Sequence, residues 1–152
     1  MIQIFTDGSC KGNGQEENIG GNGYLILINK QLHTHKIEVN KNTTNNREEL
    51  KAVINALNYM IFSNQENPIY IYSDSQYVVK GLTFWSKKWK INNWKTSKNS
   101  TKEVKNSDLW VELYTLYHQI KPSIQWVKGH TTNKSDWNNT IDRLINEAIS
   151  FS

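Results

Sequence analysis

The stretch Ile2-Gln3-Ile4-Phe5-Thr6-Asp7-Gly8-Ser9-Cys10 decides how the rest of the chain is read. Ile2, Ile4, Phe5 and Thr6 suit a pleated, buried surface, so the stretch opens as a strand. Gly8 and Ser9 are expected to end it in a turn. Asp7 is then a carboxylate at a strand exit, where a charge is costly unless it is paired or bound to a cation. Taken alone, a turn in which Asp7 caps Gly8 or Ser9 accounts for it. Other acids in equally unusual places keep the cation reading open.

The chain has 152 residues, enough for one domain with a real core, and 37% of them are hydrophobic. No run approaches the roughly 20 apolar residues of a helical membrane span. The sequence enters a strand at once, so no signal peptide is expected. The single cysteine, Cys10, permits no internal disulfide and suits a reducing cytoplasm. The net charge is +4 and the isoelectric point about 9.1. So mild a bias makes the distribution of charge more telling than its total. Without repeats or a dividing linker, residues 1–152 are expected to form one domain.

Beyond the first strand come Lys11-Gly12-Asn13-Gly14 and Gly20-Gly21-Asn22-Gly23. Glycine at this density permits positive φ and close backbone approach. Residues 24–28 read as a second strand, Asn29-Lys30 as a turn and residues 32–39 as a third strand. Short links between them suggest an antiparallel meander. In Thr43-Thr44-Asn45-Asn46-Arg47-Glu48-Glu49, Asn45 with Glu48, or Asn46 with Glu49, has capping-box spacing. Leu50, Val53, Ile54, Leu57 and Ile61 then recur at helical period. Glu48 falls on the far side with Lys51, Asn55 and Tyr59, as a solvated helix charge. Glu49 sits at the edge of the apolar stripe, beside Val53 and Ala56, and points toward the sheet; it also complements the helix dipole.

Pro68 opens a fourth strand over residues 69–72, ending at Ser73-Asp74-Ser75. It follows a helical crossover and should run parallel to the first strand. Asp7 and Asp74 then share the carboxyl ends of parallel strands, where open α/β sheets keep their sites. Asp74 is alternatively the cap of a helix over residues 76–82. Further on, Ser107-Asp108 caps a helix with Leu109, Leu113, Leu116 and Ile120 inward. Residues 123–128 form a fifth strand, followed by Gly129-His130 in a polar loop to about residue 135. The last helix carries Ile141, Leu144, Ile145, Ala148 and Ile149, with Asp142 at the edge of that stripe. Asp7, Glu49, Asp74 and Asp142 are thus aimed at one edge of one sheet. They repel one another unless a cation sits among them, and hard oxygen ligands select Mg²⁺ or Mn²⁺.

The run Trp85-Ser86-Lys87-Lys88-Trp89-Lys90-Ile91-Asn92-Asn93-Trp94-Lys95-Thr96-Ser97-Lys98 alternates cations with Trp, and Lys102 and Lys105 follow. No acid occurs over residues 84–102. Lysines give a salt-dependent hold on phosphate, and aromatics stack on bases or brace the groove. A solvated amphipathic helix with its Trp packed inward is the plainer alternative, and both can hold together. The one-sided polarity favours nucleic-acid contact.

The residues Thr6-Asp7-Gly8-Ser9-Cys10, Thr43-Thr44-Asn45-Asn46-Arg47-Glu48-Glu49-Leu50, Ser73-Asp74-Ser75-Gln76-Tyr77-Val78, Trp126-Val127-Lys128-Gly129-His130 and Asn138 through Asp142 resemble type 1 ribonuclease H in its bacterial form. The resemblance spans essentially the whole chain in order. It implies an α/β ribonuclease H-like fold: a five-stranded mixed sheet in the order 3-2-1-4-5, flanked by helices. It also implies endonucleolytic hydrolysis of RNA in RNA–DNA hybrids, with 5′-phosphate and 3′-hydroxyl products. The acidic tetrad falls on Asp7, Glu49, Asp74 and Asp142, and the family's loop histidine on His130. The family's basic protrusion matches residues 85–102. Residues 130–142 form a slightly longer stretch than in the best-known bacterial members, and residues 131–137 lack their Gly/Pro character.

The chemistry implied is two-metal: paired divalent ions activate a water and stabilise the leaving 3′-oxygen. Mg²⁺ is the expected ion, with Mn²⁺ possible. Asp7, on the central strand, is the expected bridging ligand, and His130 would move a proton or assist product departure. The implied substrate contacts are Cys10, Asn13, Thr44, Asn45, Asn46, Gln76, Trp85, Lys87, Lys88, Trp89, Lys90, Trp94 and Lys95. Of these, Asn13, Asn45 and Gln76 match family positions that meet sugars in the minor groove, which suits a reader of the 2′-hydroxyl. Thr44 and Trp85 would grip the deoxy strand. A cytoplasmic monomer with no membrane partner is expected. Two rivals remain: a nuclease or integrase of the same fold acting on DNA, and a non-catalytic hybrid-binding module. A pure binder gains nothing from four repelling acids.

Overall fold

The computed structural model describes residues 1–64, 67–129 and 136–152. Strands β1 (Ile2–Lys11), β2 (Ile19–Ile28), β3 (Gln31–Lys41), β4 (Ile69–Ser73) and β5 (Ser123–Trp126) form one sheet in the order β3-β2-β1-β4-β5. The first three are an antiparallel meander, and β4 runs parallel to β1 and to β5. This is the mixed sheet and strand order that the family resemblance implies. Helix α1 (Asn45–Ser63) crosses from β3 to β4. Helix α2 (Gln76–Lys80), a π turn over Gly81–Trp85 and helix α3 (Ser86–Ile91) form one winding stretch. Helix α4 (Ser107–Ile120) precedes β5, and α5 (Trp137–Ser150) closes the described chain.

Helices cover both faces of the sheet. On one face Ile2, Ile4, Tyr24, Ile26 and Ile71 pack with Leu50, Val53 and Leu57 of α1 and Trp110 and Leu113 of α4. On the other, Leu25 and Leu27 pack with Ile141, Ile145 and Ile149 of α5, joined by Phe5. Strand β2 therefore alternates between two cores, and its apolar run is continuous for that reason.

Three local expectations are corrected. Gly8 and Ser9 do not end β1: pairing with β2 continues to Lys11, and only the parallel pairing with β4 stops, at Thr6 opposite Ser73. Gly20, Gly21 and Gly23 lie inside β2, which starts at Ile19 and not at residue 24. Their missing side chains make room: a Cβ on Gly21 would lie 3.1 Å from Ile145 Cγ2, and one on Gly23 3.0 Å from Ile141 Cδ1. Helix α1 takes no capping box. Thr44 is its N-cap, its Oγ1 accepting from the Arg47 N–H at 3.1 Å. The helix over residues 76–82 is likewise capped by Ser75, which accepts from the Val78 N–H at 3.2 Å. Asp74 is thereby freed from the capping role.

Candidate active site

The site lies where the β1–β4 pairing ends. Phe5 packs on the face covered by α5. Strand alternation puts Asp7 on that face too, toward Asp142 of α5, and turns Gly8 toward α1. A Cβ on Gly8 would overlap the Glu48 carbonyl carbon and lie 2.5 Å from the Glu49 nitrogen. Glycine here lets the first turn of α1 press on β1 and carry Glu49 to the sheet's edge. Asp74 follows directly on β4. Its backbone carbonyl accepts from Trp126 Nε1 at 3.0 Å, and Gly129 sits against its carboxylate where any Cβ would collide. Single carboxylate oxygens of Asp7, Glu49 and Asp74 lie within 4.8 Å of one another.

Electrostatics mark these acids out. Burial first, then Asp74 and Asp142, push the Asp7 carboxyl up to about 9. A hydrogen bond with Asp142 adds to this, and the Gly8 N–H, donating to Asp7 Oδ1 at 2.9 Å, opposes it. Glu49 is raised well above the usual carboxylate range by burial and then by Asp7 and Asp74. Its Oε2 is buried with no hydrogen-bond partner among the described residues. Converging hard oxygens, one of them orphaned, fit a divalent cation. Asp142 is tied in by its bond to Asp7 and accepts from Asn146 Nδ2 at 3.4 Å. His130 lies outside the described residues.

Beside this cluster is a polar groove of about 380 Å³ lined by Asn13, Gly14, Thr44, Asn45, Asn46 and Lys105. Its wall is preorganised. Asn45 Oδ1 accepts from the Cys10 N–H at 2.6 Å, and Asn13 Oδ1 accepts from the Asn45 N–H at 3.0 Å. The Cys10 thiol points instead at the Thr43 carbonyl, 3.7 Å away. Gln76 is exposed in the first turn of α2, two residues past Asp74. In the sequence, Asn13, Thr44, Asn45 and Asn46 are grouped by resemblance alone. Their meeting in one groove is a product of the fold.

The basic stretch divides in two. Lys87, Lys88 and Lys90 are exposed. Lys95 is half-buried and pairs with Glu103 at 3.4 Å. Trp89 meets Trp110 edge-on at 5.3 Å between ring centroids, and Trp94 meets Tyr114 at 5.6 Å. Both indoles pack against the core, so they brace the protrusion. Trp85, 41% exposed, is the Trp of this stretch open to solvent.

The sequence reading misplaced Glu48. It is fully buried, not solvated. The signal was present: Glu48, Ala52 and Ala56 fall on one row at i, i+4 and i+8, and the two alanines are buried where α1 lies against the sheet.

The family model for RNase H matches residues 1–150. A ribonuclease H of Clostridium botulinum (strain Hall) is 41% identical over 152 residues, covering 97% of this chain and 95% of that protein. A ribonuclease HI of Haemophilus influenzae is 46% identical over 139 residues, covering 90% and 82%. Among solved structures, LC9-RNase H1, a type 1 RNase H with the type 2 active-site motif, superposes with a TM-score of 0.79 at 27% identity, over 99% of this chain and 72% of that one. LC11-RNase H1 in complex with RNA/DNA hybrid superposes at 0.73 with 20% identity, which speaks for the fold alone.

Proposed function

This chain belongs to the ribonuclease H family, hydrolytic endoribonucleases that cut the RNA of RNA–DNA hybrids, and on that premise we propose that Asp7, Glu49, Asp74 and Asp142 are its metal-binding catalytic carboxylates. The observation that carries this is the convergence of Asp7, Glu49 and Asp74 within 4.8 Å, with Asp142 bonded to Asp7. Such a cluster strains the fold unless positive charge joins it. The family depends on divalent metal, and Mg²⁺ is the ion proposed here, with Mn²⁺ as a substitute. Two such ions supply an activated water and a stabilised leaving oxygen.

The chain's own residues do the rest. Asp7, on the central strand and least exposed of the four, would hold the metal together with Glu49, Asp74 and Asp142. Asn13, Asn45 and Gln76 present amide groups beside the cluster, where ribose hydroxyls can be paired. Thr44 and Trp85 hold the deoxy strand, and Lys87, Lys88 and Lys90 hold phosphates farther along. His130 moves a proton or eases product departure. The protein acts as a monomer of one domain, in the cytoplasm.

A cleavage assay with labelled RNA–DNA hybrid, duplex DNA and duplex RNA tests the reading. Only the RNA of the hybrid should be cut, to 5′-phosphate and 3′-hydroxyl ends. Cleavage of duplex DNA at a similar rate would replace this function with a DNA nuclease of the same fold. Binding of the hybrid without cleavage in Mg²⁺ or Mn²⁺ would leave a binding module.

A further inference from the structure

Glu48 has no part in the chemistry above, yet it is among the most completely buried side chains of the protein. A buried carboxylate persists when its lone pairs are used. Glu48 Oε1 accepts from Asn22 Nδ2 at 3.1 Å and Asn40 Nδ2 at 2.9 Å. Its Oε2 accepts from Thr43 Oγ1 at 2.8 Å and faces Lys51 Nζ at 3.6 Å. The two Asn also donate to Glu38 Oε1, at 3.1 and 2.8 Å, and Asn55 Nδ2 donates to Asn22 Oδ1 at 3.2 Å. One side chain thus ties the first turn of α1 to β2, to β3 and to the segment entering the helix.

The next residue is Glu49. The peptide joining the two is pressed against Gly8 on one side, where no Cβ would fit. The Glu48 network restrains it on the other. Held from both sides, this peptide has one place to be, and the Glu49 side chain starts from there. We propose that Glu48 is a positioning residue that fixes Glu49 against Asp7 and Asp74 and so sets how well the cluster fits a small divalent ion. The inference rests on the metal-site reading above. Mg²⁺ demands near-ideal octahedral geometry, whereas Ca²⁺ tolerates irregular shells. Loosening Glu49 should therefore harm Mg²⁺ binding more than Ca²⁺ binding.

The test is calorimetric titration of the intact protein with MgCl₂ and, separately, CaCl₂, without substrate. The chains are wild type, Glu49→Gln, Glu48→Gln, Glu48→Ala and Thr43→Val. Glu48→Ala is expected to lose roughly 10-fold or more in Mg²⁺ affinity, the scale of supporting residues around metal ligands, with a smaller loss for Ca²⁺. Glu48→Gln should stay near wild type: its amide oxygen still accepts from Asn22 and Asn40, and its NH₂ can donate to Thr43. Thr43→Val removes one donor and should shift the same way as Glu48→Ala by less; it serves as the test if circular dichroism finds Glu48→Ala unfolded. Unchanged Mg²⁺ and Ca²⁺ affinities in the folded variant overturn the proposal. A fall in Glu48→Gln as large as in Glu48→Ala also overturns it, because charge and not position would then be at work. If wild type and Glu49→Gln bind Mg²⁺ alike, the metal-site reading itself fails and this inference falls with it.

Discussion

At Asp7 the residue is 4% exposed, and burial together with Asp74 and Asp142 brings its carboxyl up to about 9. In the unfolded chain the same group returns to the ordinary value of 3.8. Below that value both states are protonated, and Asp7 costs the fold nothing. Between the two values the unfolded state releases the proton first, so ion-free stability falls as pH rises toward about 9. Glu49, also raised, adds to the same slope. Denaturant midpoints in chelator should therefore decline through this window. Asp7→Asn should flatten part of the decline and leave a midpoint equal to or above wild type near neutral pH, while abolishing cleavage. Adding Mg²⁺ should raise the wild-type midpoint by binding the native state and do much less for the variant. A clear loss of ion-free stability in Asp7→Asn would refute the strained-cluster account.

Among the elements, the winding stretch from α2 through α3 separates two jobs that its sequence interleaves. Trp89 within it and Trp94 just beyond it anchor it to α4, while Lys87, Lys88 and Lys90 are exposed. Replacing Lys87, Lys88, Lys90 and Lys95 by Ala should weaken hybrid binding and flatten its salt dependence. Each lost phosphate contact should reduce the log–log salt slope by about 0.9 if duplex behaviour holds. Lys95, already paired with Glu103, should contribute least. The Michaelis constant should rise far more than turnover falls, because the acidic cluster belongs to other elements. A collapsed turnover with an unchanged salt slope would assign the stretch a different role.

Over the whole molecule, acids and amides come from distant parts of the chain: Asn13 from the β1–β2 link, Asn45 and Glu49 from α1, Gln76 from α2, Asp142 from α5. On the proposed reading, strand choice is a property of that assembly. A buried polar group left unpaired costs about 1–3 kcal/mol, so several missing sugar hydroxyls together reject DNA strongly. The decisive substrate is a DNA duplex with a short ribonucleotide run in one strand. Cuts should stay within or at the edge of that run and vanish when it is replaced by deoxyribose. Asn45→Ala and Gln76→Ala should each slow the cut while Mg²⁺ still binds by calorimetry. Equal cutting of the all-DNA duplex would end the 2′-hydroxyl reading.

The antiparallel meander, the parallel β1–β4 pair and the helical crossover were legible in the sequence because periodicity and chain connectivity leave few alternatives; the full strand order came only with the family resemblance. The convergence of Asp7, Glu49 and Asp74 was legible because acids are rare at strand exits and stripe edges. What failed was local: Gly8 as a strand end, the β2 glycines as residues ahead of the strand, and Glu48 as a solvated charge. Each error has one cause. A glycine inside a strand and a carboxylate inside a core look wrong until the neighbour that needs them is known. Gly8 and Gly21 make room for α1 and for Ile145, and Glu48 is satisfied by Asn22, Asn40 and Thr43. Those contacts join residues from different elements, so sequence pattern sets which elements form, and tertiary packing alone decides which apparent misfits belong.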